Sequence, residues 1–234
     1  MKTAFFIASC LTSFISFGWA QGDFSYQPAY RENIILDQDI VTGGYYVDPS
    51  KNIEGHPYFE SRNFENGEIE INGLVYREVP LLYDIWNDEI LTFQPVHKKK
   101  ILVRADKVQS FAIGEDQPKR FIRIPENPGY NFHKNGIYEL VKKGEVSLLA
   151  KHYKQTKDKR DVSKFSDVFY EKRDYFLKKD TELQLIRTKK QAREFLNLDK
   201  KAFREVFKGQ RISFRNERER YLSKLVDHYN GKQP

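Results

Sequence analysis

The side chains of this chain that could do chemistry are two acidic pairs, Asp37/Asp39 and Asp84/Asp88, five histidines, and a group of rings at Tyr76, Tyr83, Trp86 and Phe93. Paired carboxyls flanking one bond are what glycoside hydrolysis needs. Asp also favours turns and caps, and that role explains these positions more simply. His56, His97, His133, His152 and His228 show no H-E-x-x-H or other close ligand spacing. His56 and Glu60 are four apart, but Pro57 lies between them and spoils a helical ligand pair. Ser61, Ser110, Ser147 and Ser166 lack the G-x-S-x-G elbow. Gly43-Gly44 neither follows a clear strand nor opens a helix, and no EF-hand pattern is present. No catalytic, cofactor-binding or metal-ligating residue is therefore predicted, and no cofactor.

Two surfaces remain as binding candidates. Tyr76, Tyr83, Trp86 and Phe93 fall on neighbouring predicted strands, where exposed rings in a row would form a platform for sugar or lipid. The simpler reading makes them cross-strand partners filling a curved sheet. The second surface is basic. Residues 21–118 hold nine Lys and Arg against seventeen Asp and Glu, whereas residues 119–234 hold thirty against sixteen. The excess of base belongs to the C-terminal half, in runs such as Lys98–Lys100, 151–164, Lys189-Lys190 and Arg211–Arg220. Such a surface suits an anionic envelope component or an acidic protein. Solvated helix faces are its plain alternative.

The first twenty residues set the address. Lys2 precedes an uncharged apolar stretch that ends Gly18-Trp19-Ala20, with small residues at the −3 and −1 positions signal peptidase requires. Cleavage is predicted between Ala20 and Gln21, leaving 214 residues. Ile7-Ala8-Ser9-Cys10 resembles a lipobox, so lipidation at Cys10 is the alternative. Only nine residues precede that cysteine, which is short for a hydrophobic region. Cleavage at Ala20 removes the only cysteine, so stability must come from packing rather than disulfides. No later segment approaches membrane-spanning length. The expected location is the periplasm or beyond, which argues against nucleic acid as the partner.

Positioning these residues falls to a β-rich body. Residues 21–66 are rich in Pro and Gly and read as an irregular entry with edge strands near Asn33–Leu36 and Tyr45–Val47. Residues 67–178 read as an antiparallel β domain. Asn72-Gly73 between Glu68–Ile71 and Leu74–Arg77 signals a type I′ hairpin. Further strands are predicted at Val79–Ile85, Ile90–Phe93, Ile101–Arg104, Val108–Ile113, Arg120–Ile124, Gly136–Val141, Val146–Ala150 and Val168–Leu177. Residues 151–166 read as an exposed loop. Residues 179–234 form a basic tail of three short helices: one capped by Thr188 with Gln191, one by Asp199, and a third over about 216–229. The fold class is α+β: an antiparallel meander, curved or barrel-like, with a helical appendage.

The runs Gly67–Tyr76 and Val79–Ile85, then Asp88-Glu89-Ile90, with the closing Leu225-Val226-Asp227-His228-Tyr229-Asn230, resemble a family of uncharacterised secreted bacterial proteins. The resemblance implies a secreted β-rich protein and carries over no functional residue. The expected function is that of an exported, non-enzymatic binding or structural protein. A hydrolase acting on envelope polymer is the alternative, and self-association through strand edges or the tail a third reading.

Overall fold

The computed structural model describes residues 40, 43–94, 98–114, 116–160 and 164–231. The predicted cleavage site, Cys10, Asp37, Asp39 and His97 lie outside these residues, as does the piece 33–36.

Eleven strands form one sheet: β1 (Ile53–Glu54), β2 (Glu65–Ile71), β3 (Leu74–Asp84), β4 (Glu89–Gln94), β5 (Lys99–Val103), β6 (Val108–Ile113), β7 (Lys119–Arg123), β8 (Ile137–Lys142), β9 (Val146–Asp158), β10 (Asp167–Lys179) and β11 (Glu182–Leu185). The order is β1-β10-β9-β8-β7-β6-β2-β3-β4-β5, with β11 also on β10. Every pairing is antiparallel except β1 with β10. A single meander was expected. Instead the chain walks from β2 out to β5, returns so that β6 pairs with β2, and walks the other way to β11. No ladder joins the two ends of the sheet among the described residues. The β5 edge is partly covered, because Tyr46 N donates to Lys100 O and Leu102 N to Gly44 O.

The turns follow their residue chemistry. Asn72 and Gly73 both take positive φ, at 52° and 80°, as a type I′ turn demands. The separate strands expected at Leu74–Arg77 and Val79–Ile85 are one bent strand, β3. Glu78 sits at φ 56° opposite a register shift between Gly67 and Ile69, and this bulge lets the strand continue. A Cβ on Gly67 would lie 2.2 Å from Ala112 O, so β2 can approach β6 this closely only with glycine here.

The exposed loop expected at 151–166 is overturned over its first half, residues 151–158. β9 runs thirteen residues, to Asp158, in unbroken register with β10 from Lys179↔Val146 to Asp167↔Asp158. Lys151 and His152 are buried. Charge at these positions conceals the strand, because the groups that satisfy it come from distant elements. The sheet also outlasts residue 178: β10 ends at Lys179 and β11 follows, so the helical tail begins only at Thr188.

Three helices close the chain: α1 (Lys189–Phe195), α2 (Lys200–Glu205) and α3 (Arg218–Asn230). Thr188 and Gln191 form the predicted capping box, and Asp199 accepts from Ala202 N at α2. The apolar stripes pack on the sheet rather than forming a separate bundle. Leu222, Leu225 and Val226 of α3 share one core with Val146, Leu148 and Ala150 of β9 and Tyr175 and Leu177 of β10. Each of those α3 side chains is wholly buried, a gain of about 1.5–3 kcal/mol apiece. Asn230 fastens the end of α3, accepting from Val146 N and donating to Val146 O. A second core, built from Ile69, Leu81, Tyr83, Phe111 and Phe121 among others, lies in the other half of the sheet.

Candidate functional site

Polar side chains gather in several places among the described residues, and three of them differ in how open they are. The first is sealed. Asp88, in the β3–β4 turn at φ 66°, points its carboxylate at β8 and β9. Its Oδ2 lies 2.6 Å from Lys151 Nζ and accepts from Gly136 N at 2.9 Å and Ile137 N at 3.4 Å, while Oδ1 accepts from Tyr83 OH at 2.5 Å. Lys151 also donates to Ile137 O at 2.9 Å, and its ammonium sits 5.1 Å from the Tyr138 ring centre. The paired side chains are 1% and 2% exposed. Burial lowers the Lys151 ammonium, with the Asp88 charge opposing it. Burial and Asp88 together push the Tyr83 hydroxyl well above its ordinary range. Both carboxylate oxygens of Asp88 are engaged by the protein, so this centre ties a turn to two strands.

Asp84, the other member of the predicted acidic pair, is equally occupied. It accepts from Trp86 N, Asn87 N, Asn87 Nδ2 and Tyr46 OH. Burial raises its carboxyl against those hydrogen bonds. The turn role weighed for this pair is the one the geometry displays.

The aromatic platform does not form. Tyr76 and Tyr83 are buried in the core, Trp86 packs edge-on to Phe169 at 5.3 Å, and Phe93 lies against Phe64 at 5.7 Å. Tyr76 and Tyr83 are seven apart, which in a regular strand puts them on opposite faces. The bulge at Glu78 resets the alternation, and both join one core. His152 lies between Glu139 (2.5 Å) and Glu171 (3.5 Å), and His133 meets Tyr138 OH at 2.9 Å. No group of three or more His, Cys, Asp or Glu among the described residues is arranged to hold a metal ion.

The second place is a pocket of about 360 Å³ between the 48–62 segment and residues 165–169. Asp48, His56, Tyr58, Arg62, Lys100 and Phe169 are among its lining. Tyr58 OH donates to Asp48, and Lys100 Nζ lies 2.6 Å from both Asp48 Oδ1 and Tyr58 OH. The Tyr58 hydroxyl is raised by burial and by Asp48, and His56 is lowered by burial and by Lys154 and Arg62. Ser50 Oγ accepts from Asn52 N. The lining holds one carboxylate, Asp48, where glycoside hydrolysis uses two.

The third place is open and basic. A pocket of about 310 Å³ between α1 and α2 is lined by Lys189, Lys190, Arg193, Lys200, Phe203 and Arg204. No carboxylate is in that lining. Glu194 approaches Lys190 and Arg193 only at 3.7 and 3.8 Å from the rim. Lys189, Lys200 and Arg204 have no carboxylate within ion-pair distance among the described residues. The sequence signalled Lys189-Lys190 as one basic run among several. It left Arg193, Lys200 and Arg204 unremarked, and also the burial of Lys151.

No protein-family model, curated protein or solved structure matches this chain.

Proposed function

We propose that this is an exported bacterial binding protein, non-enzymatic, whose basic helical end engages an anionic component of the cell envelope. One observation carries the reading. Residues 187–231 hold thirteen Lys and Arg against six Asp and Glu, and their apolar stripes are turned onto the sheet, which leaves cations such as Lys189, Lys200, Lys201, Arg204, Arg211 and Arg215 exposed. A surface of one sign raises the local concentration of oppositely charged partners. Export rests on the Ala20/Gln21 cleavage signal and on the resemblance to secreted bacterial proteins. No helix among the described residues is long and apolar enough to cross a membrane.

The reading includes a curled, barrel-like sheet. Its support is the contact between the β3–β4 turn and strands from which β2, β6 and β7 separate it in the sheet order: Lys154 N donates to Ile85 O, and Asp88 accepts from Gly136 N.

The test is co-sedimentation of mature protein with anionic and zwitterionic vesicles at low and high salt. Retention on anionic vesicles alone, lost at high salt, is expected. Equal retention on both, or retention indifferent to salt, refutes the reading. N-terminal sequencing of exported protein is expected to begin at Gln21, and an acylated start at Cys10 refutes the soluble form.

A further inference from the structure

The basic pocket is wired against helix stability. Lys189 and Arg193 are four apart on α1, and Lys200 and Arg204 four apart on α2. Residues at i and i+4 are neighbours on a helix surface, and like charges there destabilise an isolated helix. Both pairs face the same depression, with Lys190 beside them and Phe203 between. The short link 196–199, with Asn197 at φ 48° and Asp199 as N-cap, turns the two helices so that the pairs converge. Glu194 reaches Lys190 and Arg193 from outside the lining, and Lys189 Nζ lies 5.3 Å from the centre of the Tyr221 ring, whereas Lys200 and Arg204 have no carboxylate partner among the described residues. Locally unfavourable choices left uncompensated mark functional positions.

We infer that this pocket is a binding site for a phosphate-type dianion, gripped by Arg193 from α1 and Arg204 from α2, with Lys189, Lys190 and Lys200 supplying further positive charge. The inference deepens the proposed function and rests on it. Guanidinium forks match the paired oxygens of phosphate, and ammonium groups add charge without fixed geometry. Phe203 gives the pocket an apolar wall against which the carbon portion of a phosphate ester can lie. Two helices contribute one arginine each, so the ligand would bridge α1 and α2 at the surface, above the core that Ala192, Leu196 and Val206 share. The chemistry is shared by free phosphate and by a phosphomonoester lipid headgroup.

The experiment uses the full mature protein and three probes: inorganic phosphate by calorimetry, and vesicles containing either phosphatidic acid or phosphatidylglycerol at matched surface charge. Wild type is expected to bind inorganic phosphate, and the R193Q/R204Q variant to bind it about 10- to 100-fold more weakly, the loss expected for charge-assisted hydrogen bonds. A K107Q/K143Q control removes two cations outside both the pocket and the basic helical end, and is expected to leave phosphate affinity unchanged. Preference for phosphatidic acid vesicles identifies a headgroup as the source. Phosphate binding without that preference identifies the free anion. Equal loss in both variants, or anionic vesicle binding that phosphate does not compete, overturns the pocket while leaving the proposed function standing. Failure to bind any anionic probe overturns both. Near-UV circular dichroism of each variant guards against misfolding. Should R193Q/R204Q fail to fold, K189Q/K200Q replaces it, with at least tenfold weaker phosphate binding expected.

Discussion

The Asp88–Lys151 centre and the α1–α2 pocket are both built from charged side chains, and they could hardly be used more differently. At the first, one carboxylate and one ammonium are matched, almost fully buried, and surrounded by donors and acceptors that leave neither oxygen of Asp88 free. At the second, five cations share one depression with a single carboxylate at its rim. Buried charge is costly unless paired and hydrogen-bonded, so a saturated pair signals a structural tie. Exposed charge costs little, so those members of the cluster left without an acidic partner can meet something outside the protein. The chemistry available to a ligand depends on what the fold leaves unsatisfied.

The largest break in this comparison is expected from Asp88→Ala. It strands the Lys151 ammonium, Tyr83 OH and the Gly136 and Ile137 amides in the interior, at a cost of about 3–5 kcal/mol in urea unfolding. Combining Asp88→Leu with Lys151→Met should recover part of that loss, because an apolar pair removes both desolvation penalties. If Asp88→Ala unfolds like wild type, the centre is not the tie described above.

The cluster formed by His152 with Glu139 and Glu171 sets an acid limb. The His152 hydrogen bond holds Glu171 below the usual glutamate range. Burial works to raise Glu139, but His152, Lys119 and Arg173 overcome it and hold it low as well. A carboxylate depressed on folding contributes stability fully present above its unfolded value, 4.5 for Glu, and lost as pH falls through the lower folded value. Stability should therefore decline below about pH 4.5, and Glu171→Gln should flatten that decline in unfolding midpoints measured between pH 3 and 7. An unchanged slope in the variant would remove Glu171 from the account.

Smaller effects separate cap from pocket. Thr188→Ala removes one half of the capping box at α1 and should cost about 1 kcal/mol. Lys200→Gln, by contrast, relieves one like-charge pair and should leave stability unchanged or raise it by about 0.2–0.5 kcal/mol, while weakening retention on anionic vesicles. Thermal unfolding and vesicle binding of the two variants measure this opposition. A Lys200→Gln variant that loses stability would mean the cations are structural after all.

Local signals were legible in the chain. Asn72-Gly73 specified a turn that needs two positive φ angles, and Thr188/Gln191 and Asp199 specified two helix starts. The alternation of apolar residues placed β4 to β8 within a residue or two. These features depend on a few neighbouring side chains and on backbone sterics, which a linear reading captures. The uneven division of charge was likewise read directly.

What tertiary structure alone decided were the partners. Lys151 and His152 look like loop residues until Asp88, Glu139 and Glu171 are brought to them, because burial of a charge depends on a partner many residues away. Tyr76 and Tyr83 share a core only because a bulge at Glu78 shifts the strand alternation between them. β6 returns to β2 through a pairing that no local signal encodes. The four cations at 189, 193, 200 and 204 are spaced for two separate helix faces, and they become one pocket only when the 196–199 link turns those faces together. Amino-acid order determines which elements form; the packing of those elements on one another determines which charges are neutralised and which stay exposed.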